Sequence, residues 1–182
     1  MCGIAGEFRS DGRSADVGTV LGMARVLEPR GPDGWGVVGH GPIALAHQRL
    51  KIIDLSDTGS QPMVDPDLGL TAVFNGCLYN YPELREELRA QGYRFFSTSD
   101  TEVLLKAFHH WGRACVERFK GMFAFAISDR NTGELVLGRD RLGIKPLYVA
   151  AVPGAVRFAS SLPALLAGGE INTDIDHVAL HH

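Results

Sequence analysis

The sequence predicts an α+β layered fold, in which antiparallel sheets carry helices on their outer faces. Many short apolar segments follow one another, separated by turn residues such as Asn131-Thr132-Gly133 and Pro153-Gly154. Only a few segments place apolar residues at helical spacing. The regular alternation of strand and helix that predicts a parallel sheet does not occur, so hairpin-connected strands are expected.

The first half of the chain is predicted to begin with a strand and to contain one helix. Apolar residues recur at helical spacing over 17–27, and the helix is expected to end before Pro29. A loop of Gly, Pro and Asp follows at 30–34, and a turn is predicted at 40–42. The predicted strands of this half are 2–8, 37–38, 43–47 and 70–75.

The second half is predicted to contain three helices and four strands. Helix 82–91 has Pro at its start, acids in its first turn and Gly92 after its end. Helix 100–111 has Ser99 or Asp100 as its cap, and a short helix is expected at 162–167. The predicted strands of this half are 122–128, 135–138, 147–152 and 156–159.

Composition and charge narrow the class of protein. The 182 residues include 45% hydrophobic and 21% charged residues, which is typical of one globular domain. The net charge is −3 and no run of Lys or Arg occurs, so neither nucleic-acid binding nor membrane binding is predicted. No apolar stretch reaches the ~20 residues of a membrane span, and no secretory signal is recognisable. Three cysteines are too few for a disulfide framework, so reduced thiols and a cytoplasmic location are expected.

Cys2 is the first candidate catalytic residue, because it follows Met1. Removal of Met1 would leave a thiol and a free α-amine on one residue. Their reference pKa values are about 8.5 and 7.7–8.0, so the pair can act as nucleophile and general base without a histidine. The alternative is that Cys2 is a small apolar residue in an opening strand.

A series of motifs covers nearly the whole chain in order. The motifs are Cys2-Gly3-Ile4-Ala5-Gly6, Arg30-Gly31-Pro32-Asp33-Gly34, His47-Gln48-Arg49-Leu50, Ile53-Asp54, Gln61-Pro62-Met63, Phe74-Asn75-Gly76, Ser99-Asp100-Thr101-Glu102, Gly121-Met122-Phe123-Ala124-Phe125 and Arg139-Asp140-Arg141-Leu142-Gly143-Ile144-Lys145-Pro146-Leu147-Tyr148. Each motif alone is weak, whereas the ordered set is specific. Together they resemble the glutaminase domain of the asparagine synthetase type, a class II glutamine amidotransferase with an N-terminal nucleophile.

The resemblance implies a fold and a division of the chain. The expected fold is a four-layer αββα sandwich of two antiparallel sheets flanked by helices, as in N-terminal-nucleophile hydrolases. Residues 1–171 would form the glutaminase domain, and residues 172–182 would begin a linker to a covalently attached synthetase domain outside this chain. ATP and Mg²⁺ are expected only in that synthetase domain, and no cofactor or metal is expected here. A homo-oligomer that forms through the face expected to contact the synthetase domain stays an alternative.

The resemblance also implies roles for individual residues in the hydrolysis of L-glutamine. Cys2 would be the nucleophile, and Asn75 and Gly76 would supply the oxyanion donors. The alternative for Asn75-Gly76 is a hairpin turn. Arg30, in the loop near the nucleophile, would support the site rather than take part in catalysis.

The remaining implied residues bind the two ends of the substrate. Arg49 would grip the α-carboxylate with its planar fork, and Asp100 would face the α-ammonium. The alternatives are a structural arginine and a plain helix cap. Leu50 and Ile53 would line the pocket.

Cys77 departs from the family pattern, which has Glu after Asn-Gly. A neutral pocket residue, a subgroup marker and a second reactive thiol are the alternatives for this position, while Cys115 is expected in the core. Segments 75–81, 95–100 and 157–163 resemble a subgroup that amidates N-acetylglutaminylglutamine, with asparagine synthetase itself as the near alternative. A non-catalytic glutamine-binding module and a hydrolase of another amide are the competing functions.

Overall fold

A computed structural model of the chain describes residues 1–174, which form two antiparallel sheets. The strands are β1 Gly3–Arg9, β2 Gly34–His40, β3 Ile43–Arg49, β4 Met63–Asp65, β5 Leu70–Leu78, β6 Gly121–Asp129, β7 Glu134–Arg139, β8 Tyr148–Val152 and β9 Ala155–Ala159. One sheet has the order β2-β3-β1-β9-β8 and the other has the order β4-β5-β6-β7. Every strand pair is antiparallel, which confirms the predicted sheet type.

Helices cover the outer face of each sheet. Their bounds are α1 Val17–Val26, α2 Tyr81–Ala90, α3 Asp100–Trp111, α4 Cys115–Arg118 and α5 Leu162–Ala167. Helices α1 and α5 pack on the five-stranded sheet, and α2 and α3 pack on the four-stranded sheet. The four-layer α+β sandwich predicted from the sequence is therefore confirmed.

The two sheets meet in an apolar layer, which contains one buried histidine. The apolar side chains of this layer are Ile4, Ile43, Leu45, Phe158, Val73, Ala124 and Ala126. His47 on β3 is fully buried, and its Nε2 lies 3.2 Å from the carbonyl oxygen of Phe74 on β5. Burial lowers the pKa of His47 to about 3, so the ring is neutral and Nε2–H donates. His47 thus joins the two sheets by a hydrogen bond.

In addition to this histidine, two buried ionic clusters stabilise the packing of the layers. In the first, Arg157 on β9 donates from Nε to Glu7 on β1 at 2.7 Å. The same guanidinium donates to the carbonyl oxygens of Gly168 and Gly169 after α5.

The second cluster lies under α3. The Lys106 ammonium lies 2.9 Å from the Asp65 carboxylate and 3.2 Å from the Glu102 carboxylate. Glu102 also accepts from the backbone N–H groups of Phe96 and Ser97.

The structure differs from the predicted elements at several places. The strand predicted at 70–75 extends to Leu78, so Asn75 and Gly76 lie inside β5 and do not form a hairpin turn. The three-residue β4 was not predicted, because it is too short to show a period. The side chain of Ser99, and not that of Asp100, caps α3. Cys115 is buried in the core, as expected.

Residues 175–182, most of the predicted linker at 172–182, lie outside the described residues. Within residues 1–174, no helix is both long and apolar enough to cross a bilayer.

Candidate active site

One pocket collects the predicted site residues where the start of β1, the end of β3 and the middle of β5 come together. Its volume is about 310 Å³, in the range of small-molecule sites. Its lining includes Cys2, Arg49, Leu50, Ile53, Asn75, Gly76, Cys77 and Asp100, which are all the predicted catalytic and substrate-binding residues. These residues lie up to about 100 positions apart in the sequence, so the sandwich itself assembles the pocket.

Cys2 lies at one wall of this pocket and is half-buried. The backbone N–H of Leu50 donates to Cys2 Sγ at 3.3 Å, which fixes the direction of the thiol. Burial raises the pKa of the Cys2 thiol, and the hydrogen bond from Leu50 only partly opposes this effect. The thiol is therefore protonated at neutral pH and needs a base before it can act as a nucleophile.

Arg30 lies outside the pocket but contacts the nucleophile. Its Nε donates to the carbonyl oxygen of Cys2 at 3.2 Å, while its buried Nη2 has no partner within residues 1–174. The following Gly31 lies against the backbone of Gln48 and Arg49 so closely that a Cβ would overlap it. This contact holds the 30–34 loop on β3, beside the nucleophile.

The backbone of β5 turns the Gly76 N–H away from β6. Gly76 is opposite Phe123 in the strand register. The Phe123 N–H donates to the Asp140 carboxylate at 3.2 Å, and its carbonyl accepts from the Asp140 N–H at 2.8 Å. Because both backbone groups of an antiparallel residue face one side, Phe123 makes no ladder bond to Gly76. The Gly76 N–H therefore lies on the opposite edge of β5.

Three N–H groups share that edge, because alternate residues of a strand point the same way. The Phe74 N–H donates to the Gln61 side-chain oxygen at 2.6 Å, and the Leu78 N–H donates to the Asp100 carboxylate at 3.0 Å. The Gly76 N–H between them has no acceptor in the described part of the chain. A donor is thus available in the middle of the row.

The side-chain amide of Asn75 is a second unpaired donor. Asn75 is 1% exposed, yet its Nδ2 has no hydrogen-bond partner within residues 1–174. Leaving a buried donor unpaired costs about 1–3 kcal/mol, so such groups are rare unless a ligand completes them. Two adjacent neutral donors in one pocket with a thiol are the arrangement that stabilises a negatively charged oxygen.

The Arg49 guanidinium is held in place by backbone carbonyl groups. It donates to the carbonyl oxygens of Asp54 and Ser56 at 2.6 and 2.9 Å, and to the Ser60 hydroxyl at 3.4 Å. These three bonds use three of the five N–H donors of an arginine. Arg49 is 7% exposed and has no salt bridge among the described residues, so its positive charge is available to an anion in the pocket.

Asp100 is the first residue of α3 and lines the same pocket. It is 4% exposed, and burial raises the pKa of its carboxyl to about 6. The hydrogen bond from the Leu78 N–H opposes this effect. The carboxylate is therefore ionised at pH 7 but loses its charge in mildly acidic solution.

Cys77 lines the same pocket and remains a neutral group. Burial, followed by the negative charge of Asp100, raises the pKa of the Cys77 thiol, while Lys145 opposes the shift. A protonated thiol at this position fits the neutral-residue interpretation better than a second reactive thiol.

Gln61 and Lys145 are among the pocket residues to which the sequence analysis assigned no role. Gln61 connects β5 to α3, because its amide nitrogen donates to Thr101 Oγ1 at 3.1 Å. Lys145 lines the pocket next to Met1. Both residues belong to motifs of the series described above. That membership is the only feature of the sequence that indicates a role for them.

Comparison with known proteins identifies the family. The family model described as a glutamine amidotransferase domain matches residues 1–182. The chain belongs to the glutamine amidotransferase domain family. The sequence is also 39% identical, over 184 residues, to asparagine synthetase [glutamine-hydrolyzing] 3 of Bacillus subtilis (strain 168). That match covers 99% of this chain but only 30% of the relative, and a second asparagine synthetase of the same organism matches similarly.

The fold of this amidotransferase domain has a solved counterpart. Glutamine phosphoribosylpyrophosphate amidotransferase from B. subtilis, in complex with ADP and GMP, superposes with a TM-score of 0.79. The match covers 93% of this chain and 44% of that chain at 22% identity, so it supports the fold alone. The predicted family, and with it the prediction of an enzyme domain that is the glutaminase half of an amidotransferase, are confirmed. The individual residue roles remain predictions.

Proposed function

We propose that this domain hydrolyses the side-chain amide of L-glutamine through Cys2, releasing glutamate and ammonia. The observation that carries the proposal is the pair of unpaired donors, Asn75 Nδ2 and Gly76 N–H, in the pocket of the Cys2 thiol. Such donors can bind an oxygen of a ligand, and their hydrogen bonds strengthen when that oxygen becomes negatively charged.

The first half of the reaction forms a thioester. The α-amine of Cys2 takes the proton of the Cys2 thiol, and the sulfur forms a bond to the amide carbon of glutamine. The negative charge moves to the amide oxygen, which Asn75 and Gly76 stabilise. When the C–N bond breaks, the α-ammonium returns the proton to the leaving nitrogen, which departs as ammonia.

The second half releases glutamate. The α-amine takes a proton from water, and the hydroxide oxygen attacks the thioester carbon. The C–S bond breaks, and the proton returns to the sulfur. This sequence requires removal of Met1, because an amine acylated by Met1 cannot accept a proton.

Arg49 and Asp100 would bind the amino-acid end of glutamine. The guanidinium supplies free donors and positive charge to the α-carboxylate, and the Asp100 carboxylate supplies negative charge to the α-ammonium. Leu50, Ile53 and the neutral Cys77 would line the space between these charges. Amides without a free amino-acid head would bind poorly, because both buried charges would remain unpaired.

The ammonia would serve an ATP-dependent synthetase domain of the full-length protein, which would carry the ATP and Mg²⁺. The relatives named above support this, because the chain spans about 30% of their length and their names describe glutamine-hydrolysing synthesis of asparagine. We further propose N-acetylglutaminylglutamine as the amide acceptor, on the resemblance of segments 75–81, 95–100 and 157–163, and a cytoplasmic location. Incubating the full-length protein with ATP, glutamine and either this dipeptide or aspartate would decide between the two acceptors.

Labelling with 6-diazo-5-oxo-norleucine, an electrophilic glutamine analogue, tests the glutaminase proposal. We expect an intact mass without Met1, one adduct that maps to Cys2, and glutamate release that Cys2→Ala abolishes. Cys115→Ala is the matched control, because Cys115 lies in the core, and it should still be labelled at Cys2. Glutamine binding without turnover would instead support the binding module, and an adduct on Cys77 would contradict the choice of nucleophile.

A further inference from the structure

Lys145 carries a buried ammonium group into the pocket without a carboxylate to pair with it. The residue is 6% exposed. Its Nζ donates to Met1 Sδ at 3.4 Å, which is its only recorded hydrogen bond within residues 1–174. A thioether sulfur is a weak acceptor. Among the described residues, no carboxylate lies within 4.0 Å of this ammonium.

The loop between β7 and β8 holds Lys145 rigidly. The Asp140 carboxylate accepts from the backbone N–H groups of Leu142, Ile144 and Lys145 at 2.9–3.2 Å. Arg139 donates to the carbonyl oxygen of Lys145 at 2.7 Å and also to that of Gly143. The carboxylate of this loop is thus turned to the backbone and leaves the ammonium of Lys145 uncompensated.

An uncompensated buried charge is costly, and elsewhere in the molecule it is avoided. Burying an ammonium without partners costs several kcal/mol. Lys106, which is buried to the same degree, has both Asp65 and Glu102 within 3.2 Å. The unpaired charge of Lys145 therefore indicates an effect on a neighbouring group at the pocket.

The reaction proposed above has a requirement that such a charge meets. Burial raises the pKa of the Cys2 thiol, so a base must remove its proton. No histidine lines the pocket among residues 1–174, which leaves the α-amine of Cys2. An ordinary α-amine has a pKa of about 7.7–8.0 and is mostly protonated at pH 7. A nearby positive charge favours its neutral form.

Resting on the glutaminase function, we propose that the ammonium of Lys145 keeps the α-amine of Cys2 in its neutral, proton-accepting form. Five bonds separate Met1 Sδ from the Cys2 nitrogen, so this nitrogen lies within roughly 10 Å of Lys145 Nζ. At that distance in a partly buried site, the repulsion amounts to a shift of about 0.5–1 pH unit. The other charged or titratable groups around the amine are the Cys2 thiol, Arg30, Arg49, Asp54, Cys77 and Asp100. Of these, the Asp54 and Asp100 carboxylates act in the opposite direction, and the arginines act in the same direction as Lys145.

The test compares Lys145→Met, which keeps the length of the side chain, with Lys145→Arg, which keeps its charge. Each chain is released from a tag by a protease that leaves Cys2 as the first residue. The titration of the Cys2 amine is followed by NMR with ¹³C-labelled cysteine, which places only three labels in the chain. The signal of the buried Cys115 reports whether each variant is folded.

In Lys145→Met, the midpoint of the amine should rise by about 0.5–1 pH unit, and the acidic limb of kcat at saturating glutamine should move with it. Lys145→Arg should keep the midpoint of the unsubstituted chain, and so should Lys120→Met, which removes an exposed lysine. An unchanged midpoint in folded Lys145→Met would overturn the inference. If glutamine hydrolysis survives Cys2→Ala, the glutaminase function itself fails, which is a different outcome.

Discussion

The buried charges of the ionic clusters have their partners, whereas several buried polar groups at and beside the pocket lack one within residues 1–174. Arg157 donates to Glu7 and to two carbonyl oxygens, and Lys106 lies between two carboxylates. At the pocket, Asn75 Nδ2 and Arg30 Nη2 have no partner within residues 1–174, and the Lys145 ammonium has only a thioether. The paired charges stabilise the fold, and the unpaired groups at the pocket are available to a ligand. His47 Nδ1 also lacks a partner within residues 1–174, but His47 does not line the pocket.

The largest effect should come from breaking a fully paired cluster. Within residues 1–174, Arg157→Met leaves the fully buried Glu7 carboxylate with only the Asp16 N–H, and we expect the free energy of unfolding to fall by about 3–5 kcal/mol. Denaturant unfolding would measure this, and glutaminase kcat per folded molecule should not change. The control is Arg113→Met, because the Arg113 pair with Glu134 is exposed and should contribute at most about 1 kcal/mol. Equal losses in the two variants would contradict the distinction between the clusters.

Removing an unpaired donor should have the opposite signature. Asn75→Ala should lower kcat about 10²–10³-fold, because one oxyanion donor is lost. Stability should change little, since the Asn75 amide nitrogen has no partner to lose. Steady-state kinetics and thermal unfolding would be compared with those of Asn131→Ala, which removes an exposed amide. A kcat close to that of the unsubstituted chain would exclude the oxyanion role.

Asp100 combines features of the paired and the unpaired groups. Its carboxylate accepts a hydrogen bond from the Leu78 N–H, and it also lines the pocket. Its pKa of about 6 predicts that kcat/KM falls below about pH 6, where the neutral carboxyl no longer attracts the substrate ammonium. Asp100→Asn should lower kcat/KM about tenfold or more at pH 8 and remove this component of the acidic limb, so that only the component from protonation of the Cys2 amine remains. A fall of kcat/KM below about pH 6 that is as steep in Asp100→Asn as in the unsubstituted chain would assign this component to another group.

The same residue should affect stability with the opposite sign. The carboxyl pKa is raised from 3.8 to about 6, so the ionised form costs folding free energy above about pH 6. That cost declines as the pH falls from about 6 to about 4 and is absent below. Asp100→Asn should therefore raise the free energy of unfolding at pH 8 by on the order of 1–3 kcal/mol. No gain at pH 8 would show that the carboxylate is adequately solvated.

The smallest effect is expected at Cys77. Cys77→Ser replaces one small neutral group with another, so kcat/KM should stay within about threefold of that of the unsubstituted chain. Glutamine kinetics would measure this, and the labelling at Cys2 should persist. A large loss would mean that the Cys77 thiol itself contacts the substrate.

Local sequence patterns predicted which helices and strands occur better than they predicted the residues at which each element begins and ends. Helix 100–111 was predicted with its observed bounds, because capping and periodicity are local signals. The strand at 70–75 was cut short, because Asn75-Gly76 has the composition of a turn. Its extension to Leu78 depends on pairing with β6, about 40 residues further along the chain.

The site residues that could be predicted from the sequence are those that the family motifs identify. The resemblance supplied Cys2, Arg49, Asn75 and Asp100, and the structure brings all four to one pocket. The free Gly76 N–H and the unpaired Lys145 ammonium depend on which partners are missing. Missing partners follow from long-range register, which a single sequence does not display.

The hydrogen bond from His47 to Phe74 affects catalysis, because it limits how far the two sheets can slide past each other. The nucleophile directly precedes β1 of one sheet and the oxyanion donors lie in β5 of the other, so the distance between them is set by how the sheets are aligned. A slip by one residue would displace them by about 3.3 Å, the length of a whole hydrogen bond. His47 opposes such shear one residue away from Asn75. Repacking the layer between the sheets should therefore slow turnover well before the domain unfolds.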